Sequence, residues 1–209
     1  MQRLACFGTV IYDANCLVSY CFYVDVLVNK TTINIDRRET AHTRQVTEVL
    51  KANKQKVTTT QAAFEEVRNC TADAVRDRMA YREIEAKLGY PQGVNVDEQI
   101  ILKVTLSVAK KVKKLETNDW FYVDSTFIVN DNARNALKIF FSSQNREKFG
   151  KSKIPSEVDM GLINFGYQRK WPLVTNDRGI SNFAQPLSAG GLAFSILNLM
   201  EIKPPTAQT

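Results

Sequence analysis

Four carboxylates stand where strand and helix boundaries can bring them to one place. Asp13 follows the β-prone run Thr9 to Tyr12, and Asp177 follows the apolar run Pro172 to Val174 by way of Thr175-Asn176. Glu66 and Asp159 lie near the beginnings of two helical stretches. In an open α/β sheet, ligands sit beyond the carboxyl ends of the strands. Two strands that each finish on an Asp can present both acids at one edge, with Glu66 and Asp159 facing it from neighbouring helices. Carboxylates held close together repel and raise one another's pKa values. A hard divalent cation removes that conflict, since Mg²⁺ takes oxygen ligands, keeps waters and bridges carboxylates to phosphate oxygens. One such metal activates water, and two clamp the attacking and leaving oxygens of a phosphodiester. Each acid taken singly is equally an N-cap or a solvated surface group; only the set points to a metal.

Other chemistries have little to work with. His42 is the one histidine, and Cys6, Cys16, Cys21 and Cys70 include no C-x-x-C pair. Zinc sites and Ser-His or Cys-His catalysis are therefore poorly supported, and the thiols are expected to be free and mostly buried. His42 is expected on a helix surface. Apolar residues make up 44% of the 209, enough for one sizeable domain with a buried core. No apolar stretch is long enough to cross a bilayer. The apolar residues near Val10 are interrupted by Asp13 and Asn15, against a signal peptide. A cytoplasmic protein with no membrane partner is expected.

The net charge of +6 comes from 28 Lys and Arg against 22 Asp and Glu. Residues 101–153 alone hold eleven basic and five acidic residues, an excess equal to that of the whole chain. A basic zone suits a polyanion such as nucleic acid, and equally a solvated lysine-rich helix.

The elements that must position the acids alternate. Thr9 to Tyr12 is an expected strand, with helix from about Asn15. Residues 39–55 have the spacing of an amphipathic helix, with Val46, Val49 and Leu50 on one face. A short strand, Lys56 to Thr60, precedes a helix with Phe64 and Val67 on its buried side. Residues 71–90 have helical composition and end at the turn Tyr90-Pro91-Gln92-Gly93. Over residues 96–116, Ile101, Val104, Val108, Val112 and Leu115 step by three or four, with Lys103, Lys110 and Lys114 on another face. A β-prone core follows Trp120, and then helix over 132–141. Ser156 and Asp159 resemble a capping box that starts a further helix. Pro172 to Thr175 is a strand, and an apolar stretch near 189–202 ends the pattern. Alternating strands and helices indicate an α/β fold with a central, mostly parallel sheet wrapped by helices.

Four segments resemble the PIN-domain nucleases, a metal-dependent ribonuclease family that includes many toxins of toxin–antitoxin pairs. They are Asp13-Ala14-Asn15-Cys16-Leu17; residues 58–67 with Glu66 before Val67; Asp159 with Gly161-Leu162-Ile163; and Leu173-Val174-Thr175-Asn176-Asp177. Their order and the eighteen-residue step from Asp159 to Asp177 agree with the family pattern. The match covers roughly 8–70 and 154–200, so the chain is expected to be a single PIN-like domain over 1–209 with a helical insertion at about 71–153. The resemblance implies RNA phosphodiester hydrolysis by metal-activated water, with Asp13, Glu66, Asp159 and Asp177 holding Mg²⁺ or Mn²⁺. It implies that Asn15, Thr175 and Asn176 orient ligands or water, and that an antitoxin protein and a homodimer partner are candidates. Glu65 is a rival for Glu66, and Asp124 for Asp159. Thr175 is equally a hydrogen-bonded turn residue.

On the substrate side, Lys151 and Lys153 precede Asp159 and can meet RNA phosphates, with Lys103, Lys110 and Lys114 extending that surface. Phe149, Tyr167 and Trp171 are candidates for base stacking or for ordinary packing. Two competing readings remain. One is a catalytically inactive RNA- or protein-binding module, since a fold does not guarantee its chemistry. The other is a receiver-like phosphorylation domain, which needs an acidic pair after its first strand where only Asp13 stands.

Overall fold

The computed structural model describes residues 7–28, 31–36, 39–76, 98–128, 135, 155–181 and 195–202. Five strands form one sheet: β1 (Thr9–Tyr12), β4 (Lys56–Thr60), β5 (Phe121–Asp124), β6 (Leu173–Thr175) and β7 (Ile196–Asn198). Their spatial order is β5-β4-β1-β6-β7, and every neighbouring pair is parallel. Counted along the chain, that is the order 3-2-1-4-5. β1 is central, with Ile11 opposite Thr58 on one side and Leu173 on the other.

A parallel strand in this position is covered on both faces and reads as an unbroken apolar run. Accordingly Val10, Ile11 and Tyr12 are fully buried and divide by parity. Val10 and Tyr12 face a core built from α1 (Ala14–Cys21), α2 (Thr40–Ala52), α3 (Gln61–Arg76) and α4 (Glu98–Leu115), including Leu17, Leu50, Phe64 and Val112. Ile11 and Leu173 face a second core with Met160, Ile163 and Phe165 of α5 (Glu157–Arg169) and Ile180 of the short α6 (Arg178–Ser181). Helix α5 is buried from Met160 to Gly166, as expected of a helix that is apolar all round. Its start is the capping box expected from sequence: Asp159 N donates to Ser156 Oγ at 3.1 Å, and Ser156 N donates to Asp159 Oδ2 at 2.9 Å.

Several expectations change. His42 is partly buried, and its Nε2 is 2.8 Å from the Leu199 carbonyl, tying α2 to the 3₁₀ turn Leu199–Glu201. Strands β2 (Tyr23–Val28) and β3 (Thr31–Asp36) form a separate antiparallel ribbon that lies against α4. Its signal in the sequence is the alternation of Val24, Val26 and Val28, and of Ile33 and Ile35, around Asn29-Lys30. Of the stretch 71–153, α4 and β5 belong to the central body: Val108, Val112, Leu115, Trp120 and Phe121 lie in its core. The turn at residues 90–93 and the expected helix over 132–141, apart from residue 135, lie outside the described residues. No described helix is long and apolar enough to cross a membrane. Cys16 and Cys21 are free and buried.

Candidate functional site

The acids lie toward the carboxyl edge of the sheet, near enough for their charges to act on one another. Asp13 follows β1 directly; its N–H donates to the Val174 carbonyl at 3.2 Å, which stitches the end of β1 to β6. It is also the N-cap of α1, and its Oδ1 accepts from Cys16 N at 2.6 Å. The structure therefore combines the two alternatives: Asp13 caps a helix and lies within the acidic group. Only 2% of it is exposed. Its other oxygen, Oδ2, accepts a hydrogen bond from Thr175 Oγ. The same Thr175 hydroxyl accepts from Asp177 N at 2.8 Å. One buried hydroxyl thus sets the positions of two acids that are far apart in sequence.

Asp177 turns its Oδ1 to Gly179 N, 2.6 Å away. A Cβ at Gly179 would lie 2.9 Å from that oxygen, so the close approach depends on glycine. Asp159 reaches the edge from the first turn of α5, and Glu66 from the second turn of α3. Glu66 is half-buried and has no hydrogen-bond or ion-pair partner among the described residues, whereas the exposed Glu65 accepts from Gln61 at 3.0 Å.

The charges couple these groups. Burial pushes Asp13 above the usual carboxylate range; the Thr175 and Cys16 hydrogen bonds pull it down, and the charge of Asp159 pushes it up. Burial raises Glu66, assisted by Asp159 and Asp13. Burial raises Asp159 too, against the Ser156 hydrogen bonds and with the charge of Asp177. Each of the four acids is thus coupled to another of the set. None has a Lys, Arg or His partner among the described residues. Asp124 behaves differently. Burial would raise it, but Thr126 and Arg169, whose guanidinium is 3.0 Å away, hold its pKa below the ordinary value. It is a paired acid outside the coupled group.

Asn176 lies between Thr175 and Asp177, and both polar atoms of its side chain are buried without a hydrogen-bond partner. Asn15 is exposed in the first turn of α1. Cys16, which residue type and spacing do not single out, is fully buried beside Asp13, and burial and that charge push its thiol far up. Its only sequence signal is its place three residues after the strand-end acid.

Of the candidate lysines, Lys103 is exposed in the first half of α4. Lys151, Lys153 and Phe149 lie outside the described residues. Lys110 and Lys114 are exposed in the last two turns of α4, which lead through Trp120 into the start of β5. They therefore stand toward the amino ends of the strands, away from the acids. Trp171 is half-buried and packs edge-on against Phe165, with ring centroids 5.8 Å apart, while Tyr167 is exposed.

The fold and the site define an α/β protein with an all-parallel five-stranded sheet and an acidic carboxyl edge. No protein-family model matches the chain, and no curated protein matches it in sequence.

Proposed function

We propose that the chain is a divalent-metal-dependent endoribonuclease of the PIN-domain kind, hydrolysing RNA phosphodiester bonds at the edge formed by Asp13, Glu66, Asp159 and Asp177. One observation carries the proposal: burial and mutual charge raise Asp13, Glu66 and Asp159, and no described cation offsets them. Such an arrangement costs stability, and carboxylates shifted by burial and by one another mark functional sites.

The donor set fits a hard cation in kind. All four candidate ligands are carboxylates, and the side-chain oxygen of Asn176, next to Asp177 in the chain, has no hydrogen-bond partner. Among the described residues no three Asp, Glu, His or Cys side chains are grouped closely enough to hold an ion as they stand. Both oxygens of Asp13 and one each of Asp159 and Asp177 are engaged in local hydrogen bonds. Glu66 and the remaining oxygens of Asp159 and Asp177 are the groups that would turn toward Mg²⁺ or Mn²⁺. When bound, the metal supplies charge neutralisation and water of lowered pKa. Thr175 locks the carboxylate of Asp13, Gly179 N–H and Thr175 Oγ hold Asp177, and Ser156 holds Asp159. Asn15, Asn176, Lys151 and Lys153 are assigned to substrate. An antitoxin protein and a second copy of the chain remain the partners that the family resemblance suggests.

A second reading is a catalytically inactive RNA- or protein-binding module, since a fold does not guarantee its chemistry and no three of the described acids are grouped to hold an ion. A cleavage assay on mixed RNAs, with and without Mn²⁺, separates the two. Metal-dependent cleavage that is lost in Asp13→Asn and in Asp177→Asn supports the nuclease. Full activity of Asp13→Asn, after contaminating nuclease has been removed, refutes the site. Metal-free RNA binding with no cleavage under Mg²⁺ or Mn²⁺ supports the binding module.

A further inference from the structure

The edge of the sheet opposite the acids is basic. Lys54 lies in the turn from α2 to β4, and Lys56 is the first residue of β4. Lys113 and Lys114 end α4, and Lys170 follows α5 just before β6. All five are exposed. The end of α2 and the start of β4 bring Lys51, Lys54 and Lys56 together, with the Lys54 N–H donating to the Lys51 carbonyl at 2.9 Å. Lys56 Nζ donates to the Asp119 carbonyl, and Lys51 Nζ lies 5.5 Å over the Trp120 ring. The Lys114 carbonyl accepts from Thr117 N at 3.2 Å and Asn118 Nδ2 at 3.0 Å, in the turn that leads to Asp119. The neighbouring acids are Glu48, paired with Lys51, Glu116, paired with Arg68, and Asp119. Among the described residues they are fewer than the cations, and the edge keeps a positive surplus.

Helix dipoles account for part of this pattern, because cations stabilise helix C-termini. That covers Lys51, Lys113 and Lys114. It also reaches Lys54, next to the C-cap of α2, and Lys170, the C-cap of α5, but not Lys56, which lies in β4. A second observation is independent of charge. Among the described residues the non-glycine positions with positive φ are Lys54, at 56°, and Lys170, at 55°. Glycine is the residue that this left-handed backbone favours. Lys170 even closes α5, its N–H donating to the Gly166 carbonyl, in the role where Gly or Asn is usual. Two turns that each feed a strand at this edge both carry an exposed cation in place of the residue their backbone prefers.

We propose that this amino edge binds the sugar–phosphate backbone of RNA, on a surface separate from the acidic edge. From β5 to β6 the edge spans three strand spacings, about 14 Å, enough to follow a run of phosphates. Exposed ammonium groups contact phosphate without regard to base sequence, whereas lysine is depleted in protein–protein interfaces. Strands of four or five residues separate the two edges by roughly 15 Å. An RNA strand that engages both must therefore cross the side of the sheet. The choice of RNA as the polyanion rests on the proposed function; the basic edge itself does not.

The test measures RNA binding apart from cleavage. Anisotropy of a labelled, unstructured RNA is followed in EDTA over a range of salt, for the wild type, for Lys54→Gly with Lys170→Gly, and for Lys56→Gln with Lys114→Gln. Each pair is expected to weaken binding and to lower the slope of log K against log salt by about 1.4, at roughly 0.7 for each phosphate no longer neutralised. The glycine pair is expected to keep or raise the melting temperature, so its weaker binding does not reflect unfolding. Unchanged affinity and slope in both pairs overturn the proposal. Tighter binding of polyglutamate than of RNA at equal salt also overturns it, in favour of an acidic protein. If no metal supports cleavage while the lysine pairs still lower the slope, the nuclease reading falls and this surface stands. Intact cleavage with unchanged slopes has the opposite meaning.

Discussion

Replacing Thr175 by Val would test the hydroxyl that connects the acids. Valine has nearly the same shape, so the fully buried site gains no cavity, and the change isolates two hydrogen bonds. One, from Thr175 Oγ to Asp13 Oδ2, has a charged acceptor whenever Asp13 is ionised and then contributes about 1.5–3 kcal/mol. The other, from Asp177 N to Thr175 Oγ at 2.8 Å, contributes about 0.5–1.5 kcal/mol. Their loss should destabilise the protein by about 3 kcal/mol at neutral pH, read as a lower urea midpoint at unchanged m. The pH dependence is a sharper criterion. Burial holds the folded-state pKa of Asp13 above its unfolded value, and the Thr175 bond pulls it down. The stability tied to this group is therefore fully present below the unfolded pKa and is lost as pH rises through the folded one. Removing the hydroxyl raises the folded pKa further and extends that loss to higher pH. The deficit of Thr175→Val should thus be smallest in acid and grow as pH rises through the titration of Asp13. Thr175→Ser keeps the hydroxyl and should show no such pH-dependent deficit. A valine variant within about 0.5 kcal/mol of wild type, with the same pH profile, would refute the linkage.

Two further predictions concern neighbouring acids. Asp159→Asn removes a charge that burial and Asp177 disfavour while keeping an oxygen for Ser156 N. It should abolish cleavage yet raise stability at pH 7 by about 1 kcal/mol, an advantage that calorimetry should see shrink as pH falls through the raised pKa of Asp159. Gly179→Ala puts a methyl 2.9 Å from Asp177 Oδ1. It should displace that carboxylate, a side-chain end that can give way with little change in a thermal melt, and cost at least about tenfold in cleavage rate; wild-type activity would mean that the position of Asp177 is not critical.

Much of the fold is legible in the amino-acid order, because local chemistry writes it. Thr9 to Tyr12 and Leu173 to Thr175 are apolar runs cut off by polar residues, α4 carries its 3.6-residue repeat, and Ser156 and Asp159 spell the start of α5. The ribbon β2–β3 leaves only an alternating signal, which does not by itself give its pairing. β5 and α4 fall in the stretch that reads as an insertion, yet they belong to the central body. A strand's place in a parallel sheet depends on partners remote in sequence, such as Val57 opposite Phe121, and nothing local announces it.

The candidate site divides in the same way. Residue types and strand ends single out Asp13, Glu66, Asp159 and Asp177 from the sequence by itself. Only the tertiary structure decides that Glu66 feels the charges of Asp159 and Asp13, that Asp124 is paired with Arg169, and that Thr175 reaches across 162 residues to Asp13. The physical reason is that desolvation and charge coupling act through space. Their strength is set by burial and distance, which arise when β1, β6, α3 and α5 pack together.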